Sequence, residues 1–167
     1  MTPRAAGLAP RAAPRVQRGA VDPVLALPLS ALDLPESLRR FGDPTAPERG
    51  RAAAARGLVP VKGADLVALL LQLAADAVES ISSAAKGTLD GLPPAVLEAA
   101  CDSPLHPAFL DKLADRVERT PELLERIVAN AATASATIAR VARVAPDRGC
   151  ERIALNEERV LVAPAIV

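Results

Sequence analysis

A short helical phrase recurs between Leu92 and Val167, and its period limits what the chain can become. The first copy runs Ala95 to Asp102, then a Ser/Pro/His loop, then Ala108 to Asp115. The second runs Glu122 to Asn130, an Ala/Thr/Ser loop, then Thr137 to Ala142. The third runs Cys150 to Asn156, a loop, then Ala163 to Val167. A weaker copy lies upstream, with Leu71 to Asp76 before Ile81, Ala84, Ala85 and Leu89. The polar residue after each first helix falls at Asp76, Asp102, Asn130 and Asn156, in steps of 26, 28 and 26 residues. A fixed period in this range means stacked helical hairpins, in which each apolar face closes only against the next unit.

The apolar residues agree with that. Half of the 167 residues are hydrophobic, yet there are two Phe and neither Tyr nor Trp. Ala- and Leu-rich chains favour helix and allow close helix–helix approach. The sequence therefore predicts an all-α fold. Val96, Leu97 and Ala100 form one inward stripe, faced by Phe109, Leu110, Leu113 and Val117. Leu123, Leu124, Ile127 and Val128 form the next, answered by Ile138, Val141 and Val144. Leu66 to Ala75 is apolar nearly all round and reads as a helix buried between neighbours. At about ten residues it is too short to span a bilayer.

Three regions follow. Residues 1–24 hold four Arg, scattered Pro and no acid before Asp22. They read as a disordered tail, or as an over-extended start, because so little apolar surface cannot offset chain entropy. Pro10 and Pro14 interrupt any apolar core of a secretory signal. Residues 25–62 read as an N-terminal capping unit. In it Ser30 caps a short turn and Pro35 opens a helix through Phe41. Pro47 opens another through Arg56, which Gly57 ends. Residues 63–167 are the repeats, with Asp65 as a helix N-cap. Pro164 reads as the first residue of a helix that stops one turn later. The last repeat is thus expected to be truncated, as in a fragment, or its apolar edge to be covered by a partner or by a second copy of the chain.

Charge adds little steering. Basic and acidic residues number 20 each, so there is no net field towards nucleic acid or an anionic membrane. Arg116, Arg119, Arg126, Arg140 and Arg143 are the candidate partner-binding residues on the C-terminal repeats. They suggest a protein partner first. Nucleic acid is disfavoured, because the same region holds as many acids as bases and no aromatic side chain stacks on bases. The plainer reading is ion pairing along a helix, such as Glu122 with Arg126. Asp76, Asp102, Asn130 and Asn156 read as structural caps. Asp and Asn tolerate the left-handed conformation at a helix end and bond backbone amides in the following turn.

The other polar groups suggest no chemistry. His106, the one histidine, sits between Pro104 and Pro107 and reads as a surface loop residue. Cys101 and Cys150 form no CxxC pair and read as small buried apolar residues in a reducing, cytoplasmic setting. One His and two separated Cys do not make a zinc site of ordinary spacing. No phosphate-binding glycine motif is present. The sequence thus points to no catalytic residue, no cofactor and no metal.

The Leu/Ala/Val stripes, the Asp or Asn after each first helix and the Pro at helix starts resemble the HEAT-like and leucine-rich-repeat-variant α-helical repeats over roughly residues 45–167. Arg56 to Asp65, and Ala129 through Asn156, are also similar to helical-repeat proteins of GC-rich soil bacteria such as myxobacteria. The resemblance implies a short right-handed α-solenoid used as a protein–protein interaction scaffold or adaptor, with no catalytic residue. The alternatives are a nucleic-acid-binding repeat protein and a lyase-associated helical-repeat enzyme, the last needing a pocket with a perturbed acid.

Overall fold

The computed structural model describes residues 25–143, and every regular element among them is a helix. In order these are α1 (Glu36–Gly42), α2 (Glu48–Ala55), α3 (Gly63–Ala74), α4 (Glu79–Asp90), α5 (Pro94–Asp102), α6 (Pro107–Arg116), α7 (Pro121–Ala129) and α8 (Ser135–Ala142). The readings of residues 1–24, Val144, Cys150, Asn156 and the Pro164 edge lie outside this range.

Proline and glycine set most boundaries. Pro94, Pro107 and Pro121 occupy the first turns of α5, α6 and α7, where a missing N–H costs nothing. Pro35 and Pro47 instead sit one place earlier, as the N-cap residues of α1 and α2. Ser30 closes the turn before α1, where the Asp33 and Leu34 amides donate to its carbonyl. Gly57 stops α2 at φ +71°. Its N–H bonds the Ala54 carbonyl and that of Leu58 bonds Ala53, which is the Schellman pattern. Asp65 is not the cap of α3. Lys62 holds that position, and Asp65 lies in the first turn, where a carboxylate favours the positive end of the helix.

The helices alternate between two rows. α1 packs on α3, α3 on α5 and α5 on α7, while α2 packs on α4 and α6 on α8. Within pairs, α1 packs on α2, α3 on α4 and α7 on α8. The pair α5/α6 departs from the expected hairpin. These two helices do not pack closely along their lengths; α5 lies against α3 and α7, and α6 against α3, α7 and α8. The reason is local. Ser103 and His106 are extended, with ψ of 145° and 139°, and two prolines hold the connection between them open.

α3 is the centre. Every residue from Val67 to Leu73 is buried. One continuous core runs from Leu29 through this helix to Val141, and it contains Phe109, Leu113, Leu124 and Ile127. Each fully buried Leu, Ile, Val or Phe contributes roughly 1.5–3 kcal/mol over the exposed state. The one polar side chain in the buried run is Gln72. Its Nε2 donates to the carbonyls of Leu29 (2.8 Å) and Gly42 (3.0 Å), and its Oε1 accepts from the Leu29 amide (2.8 Å). One amide therefore ties the segment before α1, and the end of α1, to the central helix. Gly42 makes the approach close: a Cβ there would lie 3.2 Å from Leu69 and 3.4 Å from Gln72.

Candidate docking surface

The repeat-related polar residues are staples between neighbouring pairs of helices. Asp76 follows α3. One oxygen accepts from the Val78 amide (2.9 Å) and the other pairs with Arg51 of α2. Asn130 follows α7 and does the same with neutral groups. Its Oδ1 accepts from the Ala132 amide (2.9 Å), while its Nδ2 donates to the carbonyls of Cys101 and Ser103 (2.7 Å each), nearly 30 residues earlier. The left-handed backbone expected at these positions is not adopted. Asn130 is extended at φ −69°, ψ 122°, and among the described residues only glycines have positive φ. The bond to the amide two residues on is what directs the chain away from the helix. Asp102 differs from both, since it is the last residue of α5 and turns to Arg126.

The candidate arginines divide. Arg116 pairs with Asp90 of α4. Arg126 reaches Asp102 (2.5 Å) and Glu98 (3.8 Å) of α5, turning away from Glu122 on its own helix. Arg140 of α8 reaches Asp111 (2.8 Å) and Asp115 (2.5 Å) of α6, which raise its pKa despite the opposing effect of burial. Asp111 also accepts from the buried Thr137 hydroxyl (2.8 Å). These three side chains link one helix to the helix 24 to 29 residues before it. Arg119 and Arg143 are exposed beyond α6 and α8. The sequence reading missed Asp90 and Asp111 as partners, though the period itself pairs them with Arg116 and Arg140.

His106 is not a free loop residue. It is half-buried, caps α6 by accepting from the Ala108 amide at Nδ1 (3.2 Å), and meets Phe109 edge-on at 6.1 Å. The cap requires a neutral ring with its proton on Nε2. Burial pulls its pKa below the ordinary 6.5, against a smaller upward pull from Asp33. A depressed folded pKa means that the unfolded chain takes up the proton first. The stabilising contribution is thus complete above 6.5 and is lost as pH falls through the folded value. Urea unfolding at pH 7 and pH 5.5 is expected to show a drop in midpoint for the native chain. A smaller drop is expected for His106→Asn, which keeps a capping acceptor without titrating.

Cys101 is fully buried, and that burial, more than the nearby Asp102, pushes its thiol up to about 11. Such a thiol is unreactive while folded. In a Cys150→Ser background, labelling by a thiol-specific reagent is expected to follow the fraction unfolded in urea.

Among the described residues, the surface opens where the row of α2, α4, α6 and α8 is interrupted. α4 and α6 are not closely packed, and a groove of about 430 Å3 lies between them. Its floor is Leu27, Leu71, Ala74, Ala75 and Leu89; Lys86 stands on the α4 wall, and Lys112, Asp115 and Arg116 on the α6 wall. The ion pair of Arg116 and Asp90 joins the two walls. Lys86 is exposed and has no carboxylate partner among the described residues. None of the sequence signals marked this groove, because its residues come from four separated segments.

Comparison with protein-family models, with curated proteins and with solved structures finds no match to this chain. Among the described residues, no helix is long and apolar enough to cross a membrane, and no group of three or more His, Cys, Asp or Glu stands together as metal ligands.

Proposed function

We propose that this chain is a protein–protein interaction scaffold, built as a short right-handed solenoid of HEAT-like helical hairpins. The groove between α4 and α6 is the observation behind this reading. It is open, apolar at its floor and charged at its walls, the make-up of a surface that takes a partner's anchor side chain. The alternating rows support the solenoid, since α1, α3, α5 and α7 rest on one another in turn, as do α2 on α4 and α6 on α8. The staples support it too, because Asn130, Arg126 and Arg140 join successive pairs. Cys101, a free buried thiol, fits a cytoplasmic setting. Arg116, Arg126 and Arg140 already hold carboxylates, which favours a protein partner over nucleic acid.

The test is capture with the intact, immobilised chain. Saturable recovery of one protein, unchanged by nuclease, is the expected result. Recovery of nucleic acid alone, with affinity falling steeply as salt rises, would overturn the scaffold reading in favour of the phosphate-binding one.

A further inference from the structure

We propose that the α4–α6 groove takes an acidic protein segment anchored by a large apolar side chain. The inference rests on the scaffold reading and adds to it the chemistry of the partner. The floor comes first. Leu27, Leu71 and Leu89, with the small Ala74 and Ala75 between them, leave room for an apolar side chain and its flanking backbone. A volume of about 430 Å3 falls within the ordinary range for sites that bury a ligand.

The walls then choose the charge. Lys86 faces the groove from α4, and Lys112, Asp115 and Arg116 face it from α6, three cations to one carboxylate. Lys86 can take a carboxylate directly. Lys112 is held by Asp115 (3.0 Å) and lies 4.0 Å from Asp111. Arg116 is held by Asp90, whose side chain is 70% exposed. The Arg116 side chain is only 28% exposed and Asp115 also pairs with Arg140 (2.5 Å), so a partner's carboxylate joins these pairs and does not displace them. A guanidinium also has five donors, enough for Asp90 and a second acid together.

Other occupants fit less well. Leu27 leads back to residues 1–24, but that segment carries four Arg and a single acid, Asp22. It would bring like charge to a basic wall. A nucleic acid would find cations there but no aromatic ring on which to stack its bases.

The experiment selects peptides from a random displayed library on the full-length chain. The expected peptides are rich in Asp and Glu around one Leu, Phe or Trp. Their affinity is expected to fall at least tenfold for Lys86→Glu/Lys112→Glu, which reverses the charge on both walls. It should fall as far for Ala75→Trp, which fills the groove and leaves charge unchanged. Helix content by circular dichroism checks that both variants fold. Acidic peptides that bind both folded variants as tightly as the native chain overturn the groove assignment, yet leave the scaffold reading standing. Basic or neutral peptides, or a gain in affinity on deleting residues 1–24, also overturn it, the last by identifying the chain's own segment as the occupant. A selection with no enrichment overturns it as well, and the capture experiment then decides separately whether the scaffold reading survives.

Discussion

Replacing Gln72 by leucine is expected to lower the free energy of unfolding by about 3 kcal/mol, although it adds apolar surface to an apolar helix. The substitution keeps the volume roughly constant and removes all three hydrogen bonds of the amide. The Leu29 amide and the carbonyls of Leu29 and Gly42 are then left without their partner in the interior. Each buried group so orphaned costs roughly 1–3 kcal/mol. Partial relaxation of the segment before α1 would admit water and return some of that cost. Urea unfolding followed by circular dichroism measures the difference. A Gln72→Leu chain as stable as the native one would show that this amide does not join α1 to α3.

Phe109→Ala is expected to cost about 3–5 kcal/mol, the range for removing a large ring from a packed interior. Phe109 is fully buried in the continuous core, at the place where α6 meets α3 and α7. Here the neighbours collapse poorly, because α5 and α6 are already held apart by the loop through Pro104 and Pro107. The same substitution removes the edge contact that steadies His106. The loss should therefore be accompanied by a weaker pH dependence between pH 7 and 5.5. An unchanged pH slope with a full loss of stability would mean that the His106 cap stands without the ring.

The elements themselves were legible because their signals are local. Prolines at helix starts, Gly57 at a helix end and apolar spacing of three and four each depend on a few adjacent residues. The buried run of α3 was visible as an apolar helix with no polar face. Gln72 within it was a legible signal that the reading passed over, since one amide in such a run must find partners when it is buried. The tertiary links were less visible. Arg126 has an acid four residues earlier on its own helix, yet it reaches Asp102, and nothing in the spacing of charges chooses between the two. His106 looked like a loop residue because capping depends on the ring's direction, not on the residues beside it. The groove was hidden for a different reason. It exists because α4 and α6 are not closely packed, and a gap leaves no pattern in the chain.

Amide hydrogen exchange of Asn130→Ala tests the successive closure of helix pairs most directly. The substitution removes the bonds to the Cys101 and Ser103 carbonyls and to the Ala132 amide, all at the junction of α5 and α7. In a stack whose units are coupled only to their neighbours, the damage stays near that junction. Amides of α7 and α8 should then exchange about tenfold faster, equivalent to about 1.4 kcal/mol of lost local stability, while those of α1 to α3 keep their native rates. An equal acceleration in all eight helices would contradict the account, because it would show a single closed core that opens only as a whole.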